Sequence, residues 1–259
     1  MGILTDKFLV LENDLRNRMK KVRKSTSAKA LHDLRVSYKQ MDAFQLWCLT
    51  FMSPVDANVF VSWLRKLRPL YKITGKLRTD QLMFKIGSKN GLWRHGDQLE
   101  GMLHRRLERH EDEFIVFIRK FRFPSSLRLI EMFKHYECLS KQRLVGCRDD
   151  LVARHIRESH AALSSPSGQH WHVARRLLKS NVYLTRSDKH LSKRLFSMRL
   201  VEEWSDMEGV LGKWHDWVVL RDFMLDKMEL SRENQLIIEL HIRELETQVA
   251  DKMQKAVPY

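Results

Sequence analysis

Apolar residues recur along most of the chain at intervals of three and four, and no stretch sustains the alternation expected of a β-strand. This pattern predicts an all-α fold made of helical bundles. Long predicted helices run over residues 5–24, 28–50, 56–73, 170–184, 188–211 and 217–256, with several shorter helical segments between residues 80 and 163. Their ends are predicted at Pro54, Gly75, residues 87–91 and 123–126, Gly146, Gly212 and Ser231.

The same spacing predicts which side chains the helices bury. The apolar side of the opening helix is formed by Phe8, Leu11, Leu15 and Met19. That of the helix over residues 28–50 is formed by Leu34, Tyr38, Met41 and Cys48, and the last helix packs through Ile237, Leu240 and Leu245. Five tryptophans within helical patterns are assigned to packing rather than to ligand contact: Trp47, Trp63, Trp171, Trp204 and Trp217.

A basic pattern occurs on two of these predicted helices. In the first copy His32 is followed by Arg35 and Lys39, and in the second copy His172 is followed by Arg175 and Lys179. In a helix, Arg35 and Lys39 lie about 60° and 20° from His32 around the axis, so the three side chains share one face. Arg176 extends the basic face of the second copy.

A solvated, ion-paired surface is the ordinary explanation of a basic helix face. Here no acid stands four residues before the Arg or the Lys in either copy, and each copy follows a serine-rich breaker, at residues 25–27 and 164–168. A repeated start signal before a repeated basic face indicates an internal duplication. We therefore expect one domain over residues 1–259, with pseudo-symmetric halves at 1–140 and 141–259.

A second set of cations follows on the helix over residues 56–73 and just beyond it. Arg65, Arg68, Lys72 and Lys76 keep one helical phase, and Arg78 lies near the end that Gly75 is predicted to cap. Pro69 interrupts this run and is expected to kink the helix or to start a new one. We expect Lys72, Lys76 and Arg78 to face the same ligand as Arg35.

Taken together, these blocks resemble the CHAD domain, the conserved histidine α-helical domain. The pattern H-x-x-R-V-x-x-[RK] is present from His32, residues 70–78 are similar to the family's L-G-x-x-R-D turn, and residues 210–216 are similar to its second L-G turn. Tyr183 fits the tyrosine that closes the second basic helix. The chain departs from the pattern at Gln40, Asp42, Thr79 and Val182, where the family usually has cations or, at Thr79, an aspartate. It is identified as a stand-alone, divergent member.

The resemblance implies non-catalytic binding of inorganic polyphosphate, with no cofactor. Arginine forks and lysine ammonium groups can meet a dense row of phosphoryl oxygens without reading a sequence. The expected mechanism places the two basic helices across a central groove, with turns at Gly75 and Gly212 closing its ends. The expected binding residues are His32, Arg35, Lys39, Arg65, Arg68, Lys72, Lys76, Arg78, His172, Arg175, Arg176 and Lys179.

Charge independently favours a polyanionic partner. Lys and Arg number 47 against 32 Asp and Glu, which gives a formal net charge of +15. Such an excess suits polyphosphate, nucleic acid or an anionic membrane surface, and its sign alone does not choose among them. An RNA-binding protein that uses the same basic surface is the main alternative. A degenerate helical scaffold that has lost its ligand is the second.

Other chemistry finds little support in the sequence. There is no H-E-x-x-H pattern, no G-x-S-x-G pattern and no phosphate-binding glycine loop, so a metal site or an enzyme is not expected. A zinc site at His170-x-His172 would require an extended segment. The three cysteines form no C-x-x-C pair, and no stretch resembles a signal peptide or a membrane span. We expect a cytoplasmic protein, associated with polyphosphate granules if it binds them, whose oligomeric state the sequence leaves open.

Overall fold

Nine α-helices form the regular structure in the described residues of a computed structural model, which covers residues 2–92, 98–165, 168–186, 198–227 and 232–255. No strand occurs in those ranges, so the predicted all-α class is confirmed. The helices are α1 (Ile3–Val22), α2 (Ala28–Cys48), α3 (Pro54–Lys89), α4 (Gln98–Lys120), α5 (Leu127–Tyr136), α6 (Lys141–Leu163), α7 (Gly168–Arg186), α8 (Met198–Lys227) and α9 (Arg232–Lys255). None of the described helices is long and apolar enough to cross a membrane.

Several predicted helix ends are wrong, because the helices continue through residues that usually break them. The helix α3 passes through both Pro69 and Gly75, α6 contains Gly146, and α8 contains Gly212. Buried neighbours explain this: Thr74 and Leu77 flank Gly75, and Leu211 precedes Gly212, each of them at most 1% exposed. The packing of these buried side chains stabilises the helix by more than one glycine destabilises it.

The predicted last helix is two helices, and Trp217 belongs to the first of them, α8. The break predicted near Ser231 and the cap predicted at Ser187-Asp188 lie outside the described residues.

The chain divides into two compact units. Unit 1 comprises Met1–Ser88 and Trp93–Leu151, and unit 2 comprises Lys89–Leu92 and Val152–Tyr259. The helix α6 therefore contributes to both. The halves predicted at 1–140 and 141–259, their pseudo-symmetry and the groove between them stay predictions.

The core of unit 1 is a cluster of aromatic rings from four helices. Phe8 of α1 lies 5.1 Å from Phe133 of α5 and 6.0 Å from Phe60 of α3, and Phe44 of α2 lies 5.7 Å from Phe133. All four rings are at most 1% exposed. Edge-to-face and tilted pairs of this kind add about 0.5–1.5 kcal/mol each beyond the burial of their area. Because Phe44 faces this cluster, the basic side of α2 faces away from it.

In unit 2, α8 packs against both α7 and α9. Leu178 of α7, Leu211 and Leu220 of α8, and Val249 of α9 are at most 3% exposed and form part of its core. This arrangement turns one face of α8 toward the basic helix α7.

Most predicted core residues are buried, whereas Leu11 and Ile237 are half-buried and Leu240 is exposed. The stripe formed by Leu34, Tyr38, Met41 and Cys48 is at most 8% exposed, as predicted. Leu240 is wrong as a packing residue, because 56% of its surface is exposed. The buried face of α9 runs instead through Ile238, Ile242, Leu245 and Val249, which leaves Leu240 on the opposite side.

Candidate functional site

The side chain of Arg35 lies across α3 at the position of Gly75. Its Nη1 donates to the carbonyl oxygen of Tyr71 at 2.7 Å, its Nη2 donates to the Tyr71 hydroxyl at 3.0 Å, and its guanidinium carbon lies 4.1 Å from the centre of the Tyr71 ring. A Cβ atom on Gly75 would lie only 2.6 Å from Arg35 Nη1. The glycine that was predicted to form a turn therefore provides the space in which the guanidinium lies.

His32, Arg35 and Lys39 together are called the first stripe. The Lys39 ammonium lies 5.1 Å from the centre of the Tyr71 ring and pairs with Asp42 at 3.3 Å. Tyr71 therefore underlies two cations of the stripe, where its ring face attracts both. It also stacks on Tyr38 at 4.5 Å. Burial, and then the charge of Asp42, raise the pKa of Tyr38 to about 12, so Tyr38 is neutral across the physiological range.

The cations predicted on α3 are dispersed around that helix. Arg68 lies beside the first stripe, since its charge acts on Tyr38. Arg65, Lys72 and Lys76 are exposed, and they lie about 60–100° around the axis from Gly75, on the solvent side. Arg78 is half-buried. The structure thus places Arg68 with the first stripe but does not gather all five around Arg35.

His172, Arg175 and Lys179 of α7, called the second stripe, face α8 in unit 2. The carboxylate of Glu208 on α8 lies 2.9 Å from Lys179 Nζ and 3.5 Å from Arg175 Nε, and it is only 19% exposed. A Cβ atom on Gly212 would lie 3.5 Å from Arg175 Nη2, an ordinary contact. Here too the arginine lies over a glycine within a helix, and a carboxylate from a distant part of the sequence neutralises part of the stripe.

Three aromatic rings adjoin the second stripe, those of Trp171, Trp214 and His215. His172 lies 5.1 Å from Trp214 and 4.7 Å from His215 between ring centres, and Trp171 lies 5.2 Å from Trp214. Burial, then Arg175 and then His172 lower the pKa of His215 to about 4, while the charge of Asp222 opposes them. Burial and then Arg175 also lower the pKa of His172. Both histidines are therefore neutral at pH 7 in the absence of a ligand.

The remaining residues predicted for the second basic helix have separate surroundings. Arg176 is exposed, and its charge is a minor cause of the lowered pKa of the buried His155. Tyr183 is half-buried, and Val182 beside it is 7% exposed within the core. A cation at position 182 would have to be buried, so the apolar residue there follows from its packing.

The predicted packing tryptophans and the zinc site considered at His170 lie in described parts of the structure. Trp47, Trp63, Trp204 and Trp217 are at most 7% exposed, in agreement with their predicted packing role, whereas Trp171 is only half-buried. His170 and His172 both lie on α7, so the extended segment that a zinc site would need is absent there. Among the described residues no group of three potential ligands could hold a metal ion.

Both units thus place the arginine of the repeated pattern over a glycine of a neighbouring helix, with the pattern's lysine one turn further on. The sequence does not indicate which residues hold these cations in place. Tyr71 lies within the motif over residues 70–78 but has no pattern of its own, and Glu208 comes from another helix without a local signal. Gly75 and Gly212 are not turns, as predicted, but helix positions that Arg35 and Arg175 contact.

A comparison with protein families assigns the chain to one of them. The family model of the CHAD domain matches residues 13–225 of the 259-residue chain, and the protein therefore belongs to the CHAD domain family. The match includes both stripes and both glycines. No curated protein matches the chain in a direct sequence comparison.

Replacing Gly75 with alanine should displace Arg35 rather than simply strengthen the helix. Alanine within a helix is favoured over glycine by about 1 kcal/mol. Gly146→Ala is the matched control in unit 1, because nothing lies within 4 Å of its new Cβ, and it should raise the free energy of unfolding by about that amount. Gly75→Ala should show no such gain, because the Arg35 bonds to Tyr71 are lost. Urea denaturation measures the free energy of unfolding of both variants, and equal gains would contradict the packing of Arg35 against Gly75.

The low pKa of His215 should depend on Arg175. The folded-state pKa, about 4, lies below the ordinary value of 6.5, so the unfolded chain takes up a proton first as the pH falls. The contribution of His215 to stability is complete above pH 6.5 and is lost as the pH falls through about 4. Histidine NMR titration should show that midpoint, and Arg175→Ala should raise it. Arg176→Ala, on the same helix, should leave the midpoint of His215 unchanged. A midpoint near 6.5 in the wild type would contradict the lowered pKa of His215.

Proposed function

We propose that this CHAD domain protein binds inorganic polyphosphate through its two stripes without catalysing a reaction. One observation carries the proposal. In each unit the arginine of the H-x-x-R pattern lies over a helix glycine, with a lysine of the same stripe beside it. This repeated arrangement holds cations in a row along a helix face before a ligand binds, and such a row matches a chain of phosphoryl groups.

The chemistry of each stripe supports a phosphate ligand. A guanidinium carries five N–H donors in a planar fork, a geometry that matches the oxygen acceptors of a phosphoryl group. The lysine ammonium adds a compact charge about one helical turn further along. Such contacts recognise charge and oxygen acceptors rather than bases, which favours polyphosphate over a sequence-specific nucleic acid.

His172 adds a dependence on pH to the second stripe. Its pKa is lowered in the free protein, and a nearby phosphate would favour its charged form. Binding therefore takes up a proton, and the affinity should increase as the pH falls through the raised pKa of the complex. In this proposal the protein acts in the cytoplasm, where polyphosphate granules form, and it needs no cofactor.

Replacing the arginines of both stripes, Arg35 and Arg175, should abolish tight binding. We expect calorimetric titration of Arg35→Ala/Arg175→Ala with long-chain polyphosphate to show at least a hundredfold weaker binding, since each charged hydrogen bond contributes roughly 1.5–3 kcal/mol. The slope of log K against log salt should become shallower by about two. The matched control is Arg109→Ala/Arg199→Ala, which removes the same charge from exposed positions, one in each unit. It should retain most of the affinity.

The same titration separates the alternatives. Single-stranded RNA as a competitor should fail to displace polyphosphate, and displacement by RNA would favour the RNA-binding alternative. Phosphate release that requires His32 or His172 would indicate an enzyme. Equal losses in the two double variants would show a diffuse charge effect, and no binding at low salt would leave a helical scaffold.

Glu208 should weaken binding, because any phosphoryl group that reaches Arg175 and Lys179 must compete with its carboxylate. Glu208→Gln keeps the shape of the side chain and removes its charge. We expect it to tighten polyphosphate binding about tenfold, since unfavourable like-charge placement at an interface costs on the order of a kcal/mol or more. Glu203→Gln on the same helix, exposed and paired with Arg199, is the control and should have little effect. Weaker binding by Glu208→Gln would mean that Glu208 positions the cations instead.

A further inference from the structure

One end of the second stripe is formed by aromatic rings. Trp171 lies 5.2 Å from Trp214 between ring centres, and His172 lies 5.1 Å from Trp214 and 4.7 Å from His215. These two indoles and two imidazoles are in continuous contact across α7 and α8, and they are called the ring cluster. Aromatic pairs favour tilted and edge-to-face arrangements at such distances, so each ring is held by its neighbours.

The corresponding positions of unit 1 carry two aliphatic residues and one cation in place of three of these rings. Aligned on the repeated histidine and on the glycine that each arginine contacts, the pairs are Leu31 and Trp171, Leu77 and Trp214, and Arg78 and His215. Leu31 is fully buried, whereas Trp171 is only half-buried. An aliphatic side chain is enough to fill the core at this position of unit 1, and the indole of unit 2 extends to the surface.

The ring cluster is partly accessible from outside. His172 is exposed and Trp171 and His215 are half-buried, whereas Trp214 is 4% exposed and donates its Nε1–H to the Glu246 carboxylate at 3.3 Å. The Nε1 atom of Trp171 is buried, so the accessible part of its side chain consists of carbon atoms. An accessible aromatic surface of this kind is what nucleobases stack on in proteins that bind them without reading a sequence.

Trp171 lies on the same face of α7 as the cations of the stripe. Arg175 follows it by four residues and Lys179 by eight, so the three side chains form a row with steps of about 6 Å along the helix axis. Arg175 and Lys179 both contact the carboxylate of Glu208, which orders them. An aromatic surface is thus followed along one helix face by a row of positive charges.

We propose that the second stripe binds nucleoside polyphosphates, with the base against Trp171 and the phosphoryl groups at Arg175 and Lys179. Such a ligand has the same order of parts, an aromatic base at one end and then phosphoryl groups in a row. The inference rests on the proposed function, because the same cations hold the phosphoryl groups, and it adds a base site that the aliphatic Leu31 cannot supply in the first stripe. Stacking is open to every base, so the site selects for the presence of a base rather than for its identity.

Calorimetric titration of ATP and of tripolyphosphate tests the base site, because the two ligands have the same number of phosphoryl groups and only ATP has a base. The parent protein is the full chain with Arg35→Ala, which weakens the first stripe. ATP should bind to it at least about tenfold more tightly than tripolyphosphate, as expected for one stacked base. Trp171→Leu, which introduces the residue of unit 1, should remove that difference, and Trp171→Phe should restore part of it.

The control for Trp171→Leu is its own affinity for tripolyphosphate, which should change by less than about twofold, since leucine keeps the charges of the stripe. Thermal melting without ligand verifies the fold of each variant. Equal affinities for ATP and tripolyphosphate in the parent protein would contradict the base site and leave the proposed function standing. Failure of long-chain polyphosphate to bind the wild type would instead contradict the proposed function.

Proton NMR of ATP gives a second readout that loss of packing alone would not change. Stacking on an indole should move the adenine H2 and H8 resonances upfield in the presence of the wild-type protein, because these protons then lie over the ring. The shift should be lost with Trp171→Leu and retained with Trp63→Phe, which changes a tryptophan of unit 1. An equal shift with Trp171→Leu, or no shift with the wild type, would overturn the proposal.

Discussion

The contact between a stripe arginine and a glycine of the facing helix organises the basic surface of each unit, and in unit 1 the absence of a Cβ atom leaves room for it. In unit 1 the Arg35 guanidinium occupies the space above Gly75 and bonds to Tyr71, and Tyr71 in turn underlies Lys39 and stacks on Tyr38. In unit 2 Arg175 lies over Gly212. The cations are thus fixed by packing rather than free in solvent, and the side-chain entropy that binding would otherwise cost has already been lost on folding.

The positive charge of the stripes is partly neutralised in the free protein. Asp42 pairs with Lys39, and Glu208 pairs with both Lys179 and Arg175. These carboxylates make the surface compatible with a folded, highly basic chain by limiting self-repulsion. In the proposed function a ligand would have to replace these contacts, which would favour a ligand with several phosphoryl groups over a single anion.

Much of the fold could be read from the sequence, because helical periodicity is a local signal. The two stripes were found for the same reason, since three side chains at a spacing of three and four must share a face. The roles of Gly75 and Gly212 were not found, because a glycine after an apolar run indicates a helix end locally, whereas burial of the flanking residues decides otherwise. An acid four residues upstream is the usual local counter-charge of a helix cation. Asp42 instead lies three residues downstream of Lys39 and Glu208 belongs to another helix than Lys179, so neither pairing has that local signal.

The continuity of α3 has a mechanical consequence. The helix carries Gly75 and Tyr71 on one side and Ser62 and Lys66 on the other, without a break at Pro69. Gly75 lies nine positions after Lys66, a rise of about 14 Å along the helix axis. Because one helix contains both positions, helical geometry rather than a loop sets the distance between Lys66 and the place where Arg35 lies over Gly75.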